Sequence, residues 1–171
     1  MKRPRSSCRQ FFFSLILFFF LGTVSCVSVN IGPTAGKKSE DVSFQIPENP
    51  FKLISTDNAD KAWQSQKTGN TLAFLSECKG SVDLPLKTIE GDSVNALNQP
   101  VLVSSQTGLF NDRGSLETTA DGFVDGVEVR MALMIFKKNS CNYTISYVGR
   151  KKTFDQEKTH FDKFLKGFKA P

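Results

Sequence analysis

GSLETTADGFVDGVEVRMALMIF, residues 114–136, is the stretch that decides the fold. Its centre is Asp125-Gly126, a pair typical of a two-residue β-hairpin turn, because both residue types tolerate a positive φ. After the turn, apolar side chains alternate with their neighbours, as in a strand with one buried face. From Ala132 onward both faces are apolar. The stretch therefore predicts a hairpin of strands 114–124 and 127–136, the second half of which is buried on both sides.

Further strands are predicted on either side of this hairpin. Residues 137–140 form a turn, and the next strand, 141–149, has Tyr143, Ile145 and Tyr147 on one face. Three antiparallel strands in a row form a meander. Shorter strands are predicted at 51–55, 71–78 and 101–105. The sequence thus predicts an α+β fold with a mostly antiparallel sheet of about five to six strands flanked by helices.

Two helices are predicted to cover the sheet. One follows Asp83 as its cap and Pro85 in its first turn, and continues to Leu97. The other runs from about 154 to 168, with Thr153 and Gln156 as a capping box. Its apolar stripe is expected to pack on the sheet and consists of Phe154, Phe161, Phe164, Leu165 and Phe168.

The sole tryptophan, Trp63, follows the polar cluster Asp57-Asn58-Ala59-Asp60. This cluster is typical of a turn or of a helix cap. We interpret Trp63 as a buried anchor at the rim of the core in preference to a platform for a ligand, because a tryptophan buries a large apolar area.

The first 26 residues have the layout of an export signal. Four basic residues precede an apolar run from Phe11 to Leu21, which is too short for a bilayer span of roughly 20 residues. Extending the run to Val29 would make an uncleaved anchor the alternative. Thr23-Val24-Ser25-Cys26 resembles a bacterial lipobox, although leucine is commoner than threonine three positions before the cysteine. We predict that residues 1–25 are a lipoprotein signal peptide and that Cys26 is the lipidated residue, the other alternative being an ordinary secreted protein.

The lipid anchor and the residues after it imply a location. Three acyl chains on Cys26 would hold the chain at a membrane permanently, since each buried CH₂ contributes about 0.8 kcal/mol. By resemblance to lipoprotein sorting in two-membrane bacteria, Val27 in place of Asp indicates the outer membrane, facing the periplasm or the cell surface. Residues 26–50 are predicted to be a flexible tether and residues 51–171 a single domain. Residues 42–46 alternate, and form either an edge strand or a segment lying on the domain.

The charge of the chain lies partly in the signal. Residues 1–25 contain four of the 22 basic residues and none of the 17 acidic ones, so the remainder is nearly neutral and nucleic acid is not expected as a partner. Residues 150–171 are an exception, with seven basic residues against three acidic ones. This segment is interpreted either as a solvated surface or as a contact for anionic headgroups or an acidic partner.

Cys78 and Cys141 remain once Cys8 leaves with the signal and Cys26 is acylated. Two such cysteines in an exported chain most often form a disulfide, which would stabilise the fold by roughly 4 kcal/mol on the chain-entropy model. The alternative is a metal or redox pair. Two ligands so far apart, without histidines nearby, are a poor zinc signature.

The sequence contains no recognisable catalytic set. His160 is the sole histidine, and it lies beside the apolar stripe of the last predicted helix. Phosphate-binding and dinucleotide-binding glycine motifs are absent, so no cofactor and no metal site are predicted. A hydrolase or redox enzyme that uses His160 or the Cys78/Cys141 pair is an alternative, and a small-ligand carrier with an apolar pocket against the sheet is another.

The order of these elements resembles the PsbP-like α/β/α sandwich, a family named for an extrinsic subunit of photosystem II. The closing phenylalanine-rich helix with Lys166-Gly167-Phe168 is similar to the end of that family. Residues 124–147 are also similar to small lipoproteins of predatory and social deltaproteobacteria. The resemblance covers roughly residues 51–170 and implies a non-enzymatic binding or assembly module. We therefore expect a membrane-anchored lipoprotein that binds or scaffolds an envelope protein partner, of an oligomeric state that no motif specifies.

Overall fold

A seven-stranded antiparallel sheet forms the centre of the structure, a computed structural model that describes residues 37–78 and 83–171. The strands are β1 (Phe51–Ile54), β2 (Lys61–Ser65), β3 (Thr71–Cys78), β4 (Asn98–Phe110), β5 (Arg113–Val124), β6 (Val127–Lys138) and β7 (Cys141–Arg150). The helices are α1 (Leu86–Val94) and α2 (Lys158–Gly167), and a 3-10 turn, Phe154–Gln156, precedes α2. The strand order is β1-β2-β3-β7-β6-β5-β4, so β3 pairs with β7 across a long stretch of sequence.

The predicted hairpin is confirmed as β5 and β6. Val124 pairs with Val127, and the turn residues Asp125 and Gly126 have φ values of 50° and 77°. The next turn, at Asn139 and Ser140, also has two positive φ values and leads β6 into β7. The hairpin could be predicted from the sequence because its tight turn and the alternation of apolar and polar side chains both depend on neighbouring residues.

The sheet has seven strands, so the prediction of five to six was too low. The missed strand is β2, which lies between β1 and β3. Asp60 ends the polar cluster before it, and the Asp60 N–H donates to the Phe74 carbonyl at 2.9 Å. Ala62 and Trp63 are successive strand residues and both are buried, so the polar cluster before Trp63 is followed by a strand paired with β3 and not by a helix.

The predicted boundaries around α1 and β4 also change. The helix ends at Val94 instead of Leu97, and β4 runs for 13 residues where five were predicted. Asp83 makes no capping hydrogen bond to α1 and forms an ion pair with Lys137 instead. The last helix likewise starts without a side-chain cap.

Two cores of different composition lie on the two faces of the sheet, as in an α/β/α sandwich. The core under α2 is aromatic and includes Trp63, Phe136, Tyr143, Tyr147, Phe164 and Phe168. The core under α1 is aliphatic and includes Ile89, Leu116, Val129, Leu133 and Ile135. The predicted stripe of the last helix therefore packs on the sheet, and Trp63 is an internal anchor that is 3% exposed.

Residues 37–50, here called the N-terminal segment, lie on the domain although they fall within the predicted tether. Ser43 exchanges two backbone hydrogen bonds with Lys169 at 3.0 and 2.8 Å, and the Cys78 N–H donates to the Lys37 carbonyl at 2.8 Å. The Phe44 ring lies 5.2 to 5.6 Å from three core aromatic rings. Partial burial of the Phe44 ring against this core supplies the physical reason for the attachment. Residues 1–36, with the predicted signal peptide and Cys26, lie outside the described residues.

No helix in the described part of the chain is both long and apolar enough to cross a bilayer.

Candidate interaction surface

The two predicted cysteine partners meet at one end of the sheet. Cys78 closes β3 and Cys141 opens β7, and the two are directly opposite in the strand register with 4.1 Å between their Cα atoms. The structure joins them in a disulfide, and both residues are buried. The bond connects two central strands that are far apart in sequence, which is a structural role.

His160 is half-buried on α2, beside the N-terminal segment. Its ring centroid lies 5.1 Å from that of Phe51, and Glu48 and Lys163 are close by. Within residues 37–78 and 83–171, the ring makes no hydrogen bond to a hydroxyl, a thiol or a carboxylate, and no three metal-ligating side chains come together. The geometry of a general base acting on a nucleophile is therefore not formed by the described residues.

Lys151 and Lys158, two of the seven basic residues in the predicted basic segment, form ion pairs. Lys151 contacts Asp121 at 3.1 Å and Glu128 at 2.8 Å, and Lys158 contacts Asp162 at 2.7 Å. The hydrogen bond from Arg130 to Asp121, at 2.7 Å, lowers the pKa of that carboxyl group. Lys151 and Lys158 thus belong to separate charge clusters, whereas Lys163, Lys166 and Lys169 are exposed.

A buried polar network connects the β2–β3 turn to the segment before α2. The Tyr147 hydroxyl donates to the Phe154 carbonyl and accepts from the Asn70 amide, each at 2.8 Å. Burial raises the pKa of Tyr147. Gly149 leaves room for Asn70, since a Cβ there would lie 2.1 Å from its side-chain oxygen. All of these groups face one another, so the network holds elements together and offers no open binding site.

Among residues 37–78 and 83–171, the largest set of exposed apolar side chains lies at the β4 edge of the sheet. Val101, Leu102, Val103 and Leu109 of β4 are 52–84% exposed, and Phe123 of β5 is 36% exposed. Of the 13 residues in β4, only Ser105 and Phe110 are even partly covered. Both faces of the strand and its outer edge are thus open to solvent along nearly its whole length.

Strand β4 lacks the charged side chains that usually protect an exposed edge strand from pairing with another chain. No residue from Asn98 to Phe110 is charged. Exposed edge strands normally carry lysine, proline or bulges, because their free N–H and C=O groups can pair with another strand. Here Pro100 and two register shifts lie in the first half of β4, and the pairing with β5 is regular from Ser104 to Phe110. The second half of the strand is therefore an unprotected pairing edge.

Glu90 of α1 holds the middle of this strand against the sheet. The carboxylate is 5% exposed, and it accepts hydrogen bonds from Ser105 of β4 and Thr118 of β5, both at 2.5 Å. Lys87 donates to its other oxygen at 2.8 Å. Burial raises the pKa of Glu90, but the hydrogen bonds from Lys87, Ser105 and Thr118 outweigh it, and the net pKa is lowered. The edge is thus fixed in place by a buried, ionised carboxylate.

The sequence predicted part of β4, residues 101–105, but it did not predict that this strand lies at an exposed edge of the sheet. A usable signal was present in the sequence, since the 19 successive residues from Ser93 to Asn111 carry no charge. Which strand forms the edge depends on the pairing of β3 with β7, and no local pattern reports that pairing.

The chain is similar in structure to several solved proteins, including the following two. The first is LpqN, involved in cell envelope biogenesis of Mycobacterium tuberculosis, with a TM-score of 0.61 and 7% identity over 80% of this chain and 87% of that chain. The second is the cyanobacterial PsbP (CyanoP) from Synechocystis sp. PCC 6803, with a TM-score of 0.56 and 12% identity over 85% and 98% of the two chains. No protein-family model and no curated protein sequence matches the chain. At these identities the likeness shows the fold, a PsbP-like α/β/α sandwich.

Proposed function

We propose that the protein is a non-catalytic scaffolding module of the bacterial cell envelope, anchored through lipid on Cys26, that assembles with a protein chain at β4. The observation that carries this proposal is the long, uncharged and exposed edge strand. LpqN, which shares the fold, is described as involved in cell envelope biogenesis, and this supports the proposed location.

Strand addition is the mode of binding that fits such an edge. An extended partner segment satisfies the free backbone groups of β4, and its side chains contact the exposed apolar ones. Apolar side chains at both ends of the partner segment would remove the exposed apolar side chains of β4 from water, which favours binding. The partner segment is therefore extended and carries apolar side chains.

A photo-crosslinking amino acid at Gln106, in the regular half of β4, tests the surface. The full chain is expressed with the crosslinker at Gln106 or, as a matched control, at Lys52 on the opposite edge strand, β1. Irradiation is expected to give a defined adduct from position 106 only. Absence of any adduct from position 106, or the same adducts from both positions, would refute the proposed surface.

The anchor has its own test. Cys26→Ala, or treatment with globomycin, is expected to leave the unprocessed precursor and to prevent incorporation of labelled fatty acid. Normal maturation of the variant would remove the lipoprotein part of the proposal and leave the binding surface unaffected.

The small-ligand carrier is the less favoured reading. A carrier of this fold would need apolar space between α2 and the sheet. That space is occupied by aromatic side chains, with Phe136 and Tyr143 stacked at 4.8 Å and Tyr147 and Phe161 at 5.7 Å.

A further inference from the structure

We propose that the strand taken by β4 is β4 of a second copy, paired antiparallel about a two-fold axis near Ser105 and Gln106. This inference rests on the proposed function, because it names the partner of the same surface. The two sheets then join edge to edge, and the axis is perpendicular to the combined sheet. Closed two-fold symmetry uses the same surface on both chains, so the surface has to be complementary to itself.

The residue pattern of β4 meets that requirement. Residues 101–103 are apolar, residues 104–108 are uncharged and mostly polar, and residues 109–110 are apolar again. Antiparallel pairing places the end that contains Leu109 beside the end that contains Leu102 of the other copy. The polar middle of each strand then lies against the polar middle of its partner.

The two leucines also lie on the same face of the sheet. Leu102 is opposite Ala120 and Leu109 is opposite Gly114, and these β5 residues point to the face that carries α1. Side chains on the α1 face of one copy remain on the α1 face of the combined sheet. The leucines, 53% and 84% exposed, can therefore contact each other across the junction.

Charges near the strand do not oppose this pairing. Asp112 in the β4–β5 turn and Arg113 at the start of β5 lie at one end of β4, and antiparallel pairing places them beside the uncharged residues at the other end. Lys87 lies beside Ser105, close to the axis, but it is neutralised by Glu90 at 2.8 Å. The two copies of Glu117 would be three strand spacings apart, roughly 14 Å, which exceeds the screening length of about 8 Å in physiological salt.

The expected dimer is modest in affinity when free in solution. At most about ten residues of each strand, 101–110, take part, because the register shift between Leu102 and Ser104 interrupts the regular ladder, and this length is at most roughly 34 Å. A single strand junction of this length buries less than the roughly 800 Å² per partner of a standard stable interface. Attachment of both copies to one membrane would raise their effective concentration and strengthen the pairing. Detergent-solubilised and vesicle-reconstituted full chains therefore give two informative conditions.

The test compares Gln106→Glu with Gln156→Glu, a second exposed position, on the 3-10 turn. Sedimentation velocity of the full chain in detergent is expected to show a monomer–dimer equilibrium that Gln106→Glu weakens at least about tenfold, because the two introduced carboxylates meet near the axis and the residue opposite each one, Glu117, cannot neutralise it. Gln156→Glu is expected to behave as wild type, and circular dichroism shows whether both variants are folded. A dimer that Gln106→Glu leaves unchanged would overturn the inference.

Crosslinking in cells separates this inference from the proposed function. Two differently tagged copies, each with the photo-crosslinker at position 106, are expected to yield an adduct that carries both tags. An adduct between position 106 and a different protein, with the chain monomeric in detergent and in vesicles, would overturn self-pairing and leave the proposed function standing. No adduct of any kind from position 106 would overturn both.

Discussion

Replacement of Glu90 tests whether a buried carboxylate holds the β4 edge in place. Glu90→Ala removes the acceptor of three hydrogen bonds, from Lys87, Ser105 and Thr118. The Thr118 hydroxyl is 0% exposed, so it would lose its partner in a site that excludes water.

The expected loss of stability in Glu90→Ala depends on how well each of the three hydrogen-bond donors is shielded from water. A hydrogen bond to a charged group contributes about 1.5–3 kcal/mol, and the buried Thr118 bond belongs to this class. Ser105 is partly covered and can exchange its bond for one with water. The Lys87 side chain is 62% exposed, so its ion pair contributes at most about 1 kcal/mol. We expect Glu90→Ala to lower the free energy of unfolding by about 2–4 kcal/mol.

Urea unfolding at neutral pH, with the disulfide intact, measures this loss. Glu117→Ala is the matched control, because Glu117 is an exposed carboxylate on the neighbouring strand and should change stability by less than about 0.5 kcal/mol. Native-state hydrogen exchange supplies a second readout, since β4 amides should exchange faster in Glu90→Ala. A loss below about 1 kcal/mol, or β4 protection equal to wild type, would refute the reasoning.

The pKa of Glu90 gives the same prediction a pH dependence. Because the folded pKa is lowered, the contribution is complete above the unfolded value of about 4.3 and is lost as the pH falls through the folded pKa. The difference in stability between wild type and Glu90→Gln should therefore shrink as the pH falls below about 4. A difference that is constant from pH 7 to pH 3 would contradict an ionised carboxylate.

Three further predictions concern the rest of the fold. Tyr147→Phe should cost about 1–3 kcal/mol in urea unfolding, because it removes one of the two acceptors of the buried Asn70 amide and the donor to the Phe154 carbonyl, and a cost near zero would argue against the network. Gly122→Ala should cost about 1–3 kcal/mol, because its Cβ would lie 2.8 Å from the Leu97 Cβ, whereas Gly114→Ala, with open space around it, should cost less; equal costs would count against the close contact. Cys141→Ser should lower stability by about 2–5 kcal/mol, and a variant as stable as wild type would show that the disulfide adds nothing.

Much of the fold could be predicted from local sequence patterns. The Asp125-Gly126 turn and the alternation of β6 predicted the central hairpin, and the spacing of Phe161 and Phe164 predicted the helix on the aromatic core. The prediction missed β2, because a five-residue strand around Trp63 has too few positions to show a period of two. It placed the end of α1 three residues late, since Ala96 and Leu97 continue the apolar spacing after the helical hydrogen bonds have ended.

Several predictions about the beginning of the chain stay predictions, because Cys26 and residues 1–25 lie outside the described residues. The predicted extent of the tether, residues 26–50, changes in part, because residues 37–50 lie on the domain. Residues 37–50 contain Phe44, an apolar side chain that reaches the core from a segment of mostly polar and turn-forming residues. One side chain of this kind is a weak signal in the sequence, and its burial depends on the space that the sheet and α2 leave for it.

The sequence by itself determined the turns, the alternating strands, the amphipathic last helix and the cysteines available for pairing, because each depends on neighbouring residues. Only the tertiary structure decided that β3 pairs with β7, and hence that β4 lies at the edge. That pairing joins residues more than 60 positions apart. It depends on the simultaneous packing of the aromatic core on one face of the sheet and the aliphatic core on the other. The candidate surface follows from it, since an uncharged strand is an ordinary interior element when flanked on both sides and an open pairing edge when flanked on one.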